Sequence, residues 1–392
     1  MALYIFTDQS FKVQMSLKSQ LEITMLRALN RKRIKTKIIS DINEIRIMLS
    51  DPEAVLVIQE MTAATKEPII FCNRHNIPVI VLHTSNSDSP QLLFSSICGH
   101  PYENSRAIIR YIIDGGKRRL ALFGFNNVII DRNYAEAVYA LLPSFSQQDF
   151  FQITSDFNEC FARFFSKRSH YDSILFANDS IGIAFIDKIS QLDPDYPNSR
   201  FLIGISDTLL SRLYHYPLTS LTYDRKSVIN FVATAYHTIL HGNNQIACVN
   251  YLLLPEIFPR QSTQNFPLPN RNIVLPHISD KLKPQLKFEK YIYNYAADPV
   301  LSRITSIENL LSSFNRDKFL IFYYIIIGKT NEEIAETLHI NSRTLHYHTS
   351  KMYKSLGVSN KKEFSEILSP YISKKNLFHF LNTSELISPP KI

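Results

Sequence analysis

Glycine is scarce in this chain, with nine among 392 residues. No G-x-G-x-x-G turn, P-loop or G-x-S-x-G elbow occurs, so the phosphate-cradling loops of nucleotide enzymes and the strained serine turn of hydrolases are missing. Neither catalysis nor a cofactor is expected. Cysteine is rare as well. Cys72, Cys98, Cys160 and Cys248 are scattered, with no C-x-x-C pair and no histidine set at ligand spacing. That argues against a metal centre and leaves reduced core thiols. The opening M-A-L-Y-I-F-T-D lacks a charged stretch followed by a long apolar core, so no export signal is expected and a cytoplasmic location is. The apolar run from Phe319 to Ile327 is far short of the roughly twenty residues that a membrane span needs. Internal repeats and low-complexity tracts are also lacking.

What is present fits a soluble globular protein of two or three domains: 45% hydrophobic and 20% charged residues. Lys and Arg number 43 against 35 Asp and Glu, a net charge of +8 that is compatible with nucleic acid without requiring it. Much of the excess lies beyond residue 280, with Lys351, Lys354, Lys361, Lys362, Lys374 and Lys375 among it. A second basic run, Arg31, Lys32, Arg33, Lys35 and Lys37, reads as a solvated helix end.

The segment Gly328 to Val358 carries the start and stop signals of two short helices. Thr330 with Glu333 forms a capping box, so a helix starts at Asn331 and turns Ile334, Ala335 and Leu338 inward. Asn341 caps a second helix, which buries Leu345, Met352 and Leu356 and stops at Gly357. Its other stripe is Arg343, Tyr347, Ser350 or Lys351, and Lys354, with His346 beside it. Such side chains suit phosphates and base edges. An ordinary solvated helical hairpin has the same spacing. Phe319–Ile327 has strand propensity, but Asn315 as a cap and Gly328 as a stop favour a first helix.

From about Phe314 to Leu368 the chain resembles the DNA-binding domain of LuxR/GerE-type regulators. The runs G-K-T-N-E-E-I-A, I-N-S-R-T-L-H-Y-H and L-G-V-S-N carry the likeness. The resemblance implies an all-α four-helix helix-turn-helix domain whose recognition helix spans Ser342 to Ser355. It places base-reading positions on His346, Tyr347 and Ser350, and phosphate contacts on Thr330, Arg343, Thr344, Lys351 and Lys354. Lys318 and Leu320 stand where that family has acidic residues, and His346 and Ser355 where it often has lysine, so base preference does not transfer.

Residues 1–265 alternate short apolar runs with amphipathic stretches. Strand candidates are Leu3–Phe6, Val55–Gln59, Pro78–Leu82, Leu92–Cys98, Arg119–Gly124, Ser173–Ala177, Phe201–Ile205 and Leu218–Thr222. Helical stretches include Gln14–Arg31, Ser105–Asp114 and Ser180–Leu192. Apolar strands separated by helices indicate parallel α/β sheets, with ligands at the carboxyl ends of strands. Five runs in order, among them N-I-P-V-I-V-L, Y-D-S-I-L-F-A-N-D and L-L-P-E-I-F-P-R-Q-S-T, resemble the effector-binding domain of LacI/GalR-type repressors. The resemblance implies a two-lobed, periplasmic-binding-protein-like sensor. That family's headpiece precedes the first strand, and here Leu3–Phe6 opens the chain, so the carboxy-terminal reader is expected to replace it.

By the same resemblance the cleft residues are His100, Arg132, Tyr134, Asn178, Ser206, Asp207 and Tyr223. Asn178 matches the family's cleft asparagine and equally suits capping of the next helix. Tyr134 stands at the clamping arginine, with Arg132 as a substitute; Ser206 replaces the leading aspartate and leaves Asp207; His100 and Pro101 replace an aspartate and an asparagine; and Tyr223 takes a crossover glutamine's place. Loss of the bidentate arginine and the leading carboxylate argues against a standard hexose. Either another small-molecule effector, more aromatic or anionic, binds there, or the cleft is a ligand-blind dimerisation scaffold.

The expected organisation is therefore a sensor at 1–265, a partly helical linker at 266–312, a reader at 313–370 and a tail at 371–392. Pro267, Pro269, Pro276 and Pro284 extend the first half of the linker, and a helical pattern runs from Leu286 through Tyr295 to Leu311. The expected function is a transcription regulator that binds double-stranded DNA as a homodimer. A solute-binding protein would need an export signal and would leave the reader unexplained.

Overall fold

The computed structural model describes residues 3–6, 25, 28–51, 53–58, 63–83, 91–241, 248–268, 286–289 and 292–383. Two six-stranded sheets form two lobes. The N-terminal lobe holds β1 (Leu3–Phe6), β2 (Thr36–Ile39), β3 (Val55–Ile58), β4 (Val79–Leu82), β5 (Ser95–Gly99) and β11 (Asn250–Leu253), in the order β11-β5-β4-β3-β1-β2 with every pairing parallel. The C-terminal lobe holds β6 (Leu120–Phe123), β7 (Phe150–Phe151), β8 (Ser173–Phe176), β9 (Phe201–Ile205), β10 (Thr219–Thr222) and β12 (Glu256–Phe258). Its order is β12-β10-β9-β8-β6-β7, parallel except for β12 against β10.

Strand β1 shows why the central strands are apolar throughout. Leu3 and Ile5 enter a core shared with Met25, Leu29 and Val228, while Tyr4 and Phe6 enter the core on the opposite face with Ile45 and Ile69. With both faces covered, no polar alternation survives. The sensor's main helices are α1 (Ala63–Arg74), α2 (Pro101–Asp114), α3 (Ile129–Leu141), α4 (Phe157–Phe165), α5 (Asp179–Leu192), α6 (Leu209–Leu213) and α7 (Arg225–His241). Among the described residues the chain passes between lobes three times: β5 to α2, β10 to α7, and β11 to β12.

Two of the eight strand candidates have the bounds read from sequence, Leu3–Phe6 and Phe201–Ile205; five others shift by one to three residues at one or both ends. The Gln59 end of one candidate and most of the helical stretch Gln14–Arg31 lie outside the described residues. The basic run is more than a helix end, because Lys37 lies on edge strand β2 with its amine 5.3 Å from the centre of the Tyr4 ring.

The helical pattern expected from Leu286 to Tyr295 does not form. Residues 286–289 and 292–294 take no regular structure, a 3-10 turn covers Tyr295–Ala297, and the next α-helix is α8 (Pro299–Ser312). The segment instead forms a strap stitched to the C-terminal lobe by side-chain amides. Gln147 pairs with the Lys287 backbone through both polar atoms, at 2.8 and 3.1 Å. Asn126 does the same for Tyr293, at 2.8 and 2.6 Å. Leu286 enters the lobe's core and Phe288 packs on Phe150 at 5.1 Å between ring centres.

Helices α9 (Arg316–Ile327), α10 (Asn331–Thr337), α11 (Ser342–Ser355) and α12 (Lys361–Leu368) form the reader. It does not hang on a free tether. Leu301, Ile304, Ile307 and Leu311 of α8 share one core with Phe185, Leu209 and Leu213 of the sensor and with Phe322, Leu345 and Phe364 of the reader. The segment 371–392, expected as a tail, contains a further helix, α13 (Lys374–Asn382). It docks on the sensor too: the Ser373 amide donates to the Leu213 carbonyl at 2.9 Å, and the Asn376 amide to the Tyr214 carbonyl at 2.7 Å. Among the described residues, no helix is long and apolar enough to cross a membrane.

Candidate nucleic-acid interface and sensor cleft

Local chemistry builds the reader's turn. The Glu333 N–H donates to the Thr330 hydroxyl at 3.2 Å and the Thr330 N–H to the Glu333 carboxylate at 2.7 Å, which closes the capping box. Lys329 adds an ion pair to Glu333 at 2.9 Å. His339 takes a left-handed φ of 52°, and the Ile340 N–H returns to the Ala335 carbonyl at 3.0 Å. Asn341 then accepts from the Thr344 N–H at 2.8 Å and starts α11. Gly357, at φ 69°, ends the turn after it.

Leu345, Thr349 and Met352 face the core from α11, and Leu356 is half-buried. Thr349 was not singled out in the sequence. Its hydroxyl bonds to the His346 carbonyl at 3.1 Å, which lets a polar residue sit in the buried stripe. Arg343, His346, Tyr347, Lys351 and Lys354 are exposed, Thr344 and Ser350 are half-buried on the same helix, and Thr330 is exposed at the start of α10. Two pairs organise this face. His346 Nε2 and Ser350 Oγ lie 3.4 Å apart. Lys351 donates to the Tyr347 hydroxyl, and its amine lies 4.3 Å from the ring centre. The hydrogen bond from Lys351 lowers the Tyr347 phenol's pKa. The result is a cationic, hydrogen-bonding ridge around a large aromatic that is 54% exposed.

The seven cleft candidates differ in their burial and in the partners they hold. Asp207 is buried and clamped by Arg212 and Arg260. Burial pushes its carboxyl up, but Arg260 and Arg212 outweigh burial and hold it below the usual range. Asn178 caps α5 by accepting from the Ile181 N–H at 3.0 Å. Arg132 is exposed, with its guanidinium 5.7 Å from the centre of the Phe288 ring on the strap. His100 is exposed before α2, and Ser206 is half-buried at φ 110°, a conformation that a serine rarely takes. Tyr134 and Tyr223 come together, both bonded to Asn104, which no sequence pattern singles out. Burial raises the pKa of both phenols.

Next to the cleft candidates lies an unforeseen polar network. Asp179 accepts from the Ser220 hydroxyl and the Thr208 N–H, both at 2.7 Å, and burial raises its pKa to about 6. Glu308 of α8 accepts from the Leu210 N–H at 2.7 Å, the Leu209 N–H at 3.2 Å and the Ser312 hydroxyl at 2.9 Å. It therefore ties the linker helix to the start of α6. Among the described residues no cluster of His, Cys, Asp and Glu could hold a metal ion.

Residues 316–367 match the family described as bacterial regulatory proteins, luxR family. No curated protein matches the chain by sequence. In fold, the chain is similar to a LacI-family regulatory protein from Chloroflexus aggregans, at TM-score 0.55 and 15% identity over 67% of this chain and 98% of that one. It is similar to the Escherichia coli transcriptional repressor ascG, at TM-score 0.53 and 13% identity over 67% and 98%. A third neighbour is the regulator CelR, solved as a cellobiose complex, at TM-score 0.51 and 12% identity over 67% and 84%. The chain thus joins a luxR-family DNA-binding domain to a sensor fold of the LacI type, and it is a DNA-binding transcription regulator.

Proposed function

We propose that α11 enters the major groove, where His346, Tyr347 and Ser350 meet base edges while Thr330, Arg343, Thr344, Lys351 and Lys354 hold phosphates. The observation that carries this reading is the exposed ridge of α11, whose opposite face is fully used in the shared core. One helix spans too few base pairs for useful selectivity, so the chain acts as a homodimer on two half-sites, in the cytoplasm, without catalysis. A small-molecule effector between the lobes shifts their angle. The reader is packed on the C-terminal lobe, so the spacing of the paired readers follows that angle. CelR's cellobiose complex supports a sugar-like effector.

A ligand-blind scaffold is the second reading. It is favoured by the internal use of Asp207 by two arginines and of Tyr134 by Asn104. Two experiments decide. Full-length protein is expected to retain specific genomic fragments, and Tyr347→Ala to lose them while its melting temperature holds; retention by the variant would refute the assignment of α11. A thermal-shift screen of metabolites, with mono- and disaccharides and aromatic and anionic compounds among them, is expected to raise the melting temperature of the full chain. No shift with any compound would leave the scaffold reading.

A further inference from the structure

Tyr223 stands where β10 leaves the C-terminal lobe and one residue before Asp224, which caps α7 of the N-terminal lobe through the Ser227 N–H at 2.9 Å. Its ring packs against the N-terminal lobe's core. Its hydroxyl crosses to the C-terminal lobe and bonds Asn104 of α2, which also bonds Tyr134 of α3. The same hydroxyl lies over Gly99, the last residue of β5 and the start of another crossover. A Cβ on Gly99 would come within 1.6 Å of the phenol oxygen, so the absence of a side chain there is what admits the phenol. Gly99 in turn pairs with Leu253 at the end of β11, where the third crossover begins. One phenol therefore touches two of the three lobe connections and sits beside the third.

Asn104 is 1% exposed, and its Oδ1 has no partner. The two phenols can each donate or accept, so turning the amide over would exchange which of its atoms is unpaired without satisfying both. The knot is thus buried, bridging and one hydrogen bond short. A connection of that kind holds an angle and can be broken by a competing polar group.

We propose that Tyr223 is an internal latch of the hinge, joining the N-terminal lobe's core to Asn104 and Tyr134 and fixing the angle between the lobes. Where an effector binds as proposed above, it acts by taking the Asn104 amide from the phenols; that clause alone rests on the effector reading.

The latch is testable without an effector. Leu93→Cys in the N-terminal lobe and Leu192→Cys in the C-terminal lobe, both at exposed positions, accept spin labels in a Cys248→Ser background, since Cys72, Cys98 and Cys160 are buried. Electron–electron distances are then measured in the otherwise unchanged chain, in Tyr223→Phe and in Gly99→Ala. Both variants are expected to broaden or displace the distance distribution in the same direction. Both are also expected to change operator affinity about fivefold or more, the low end of ordinary coupling. A Tyr223→Phe distribution superimposable on that of the parent would overturn the latch, and it decides alone should Gly99→Ala fail to fold. Failure of the parent to bind DNA would instead count against the reader, leaving the distance measurement intact.

Discussion

Replacing Glu308 by glutamine tests how the reader is fastened to the sensor. The carboxylate is 2% exposed, and its partners are two backbone N–H groups at the start of α6 and the Ser312 hydroxyl. Burial lifts its pKa from 4.5 to about 7, with the nearby charge of Asp179 adding to the rise. At about 1.4 kcal/mol per pH unit, that shift corresponds to about 3 kcal/mol. The sign follows from proton linkage. A folded pKa above the unfolded one means that the native state binds the extra proton, so this stabilisation is fully present below pH 4.5 and is lost as pH rises through about 7. Asp179 acts in the same direction between pH 3.8 and about 6. Glutamine removes the Glu308 contribution. Its amide oxygen can take the Leu210 N–H, but its NH2 then faces the Leu209 N–H, a loss of about 1 kcal/mol. Urea denaturation at pH 5 and pH 8 checks this. Glu308→Gln should be the less stable protein at pH 5 and equal or more stable at pH 8, so the two stability curves cross. Parallel curves would refute the placement of Glu308 as a buried, proton-binding fastener.

Other substitutions separate the parts. Asp207→Asn leaves Arg212 and Arg260 facing one another without their carboxylate and should destabilise the chain by about 3 kcal/mol or more, read from the denaturation midpoint. Thr330→Ala removes the hydroxyl that caps α10 and should cost about 1 kcal/mol, seen as faster hydrogen exchange in α10 with the lobes unchanged. Asn126→Ala unpairs both backbone groups of Tyr293 and should release the strap, measured as lost exchange protection of the Tyr293 amide.

Legibility in the sequence followed the range of the interactions. The reader's helices are set by neighbours three residues apart: Thr330 with Glu333, Asn341 with Thr344, and Asn360 with Glu363. Such signals survive in one dimension. So do β1 and β9, whose continuous apolar runs follow from burial on both faces. Edge strands β2 and β11 were not legible, because Lys37, Ile38 and Leu252 face solvent and only pairing with β1 or β5 makes strands of them. The spacing of Leu286, Ile292 and Tyr295 fits a helix, yet the strap's partners Asn126 and Gln147 lie more than a hundred residues upstream and no local pattern announces them. The partners of the cleft candidates are long-range in the same way. The family resemblance puts Tyr134 at the clamping position with Arg132 two residues away, while the fold bonds Tyr134 to Asn104 and lays Arg132 near Phe288.

Operator binding depends on α11 as the element that grips duplex DNA, and the salt dependence of operator affinity measures that grip most directly. Each phosphate contact contributes a slope of about −0.9 in log affinity against log salt. For the full-length protein, Lys351→Ala is expected to make the slope shallower by about one such contact, and Tyr347→Ala to reduce discrimination between operator and random duplex with the slope nearly unchanged. Slope and discrimination both identical to the parent in both variants would contradict the account.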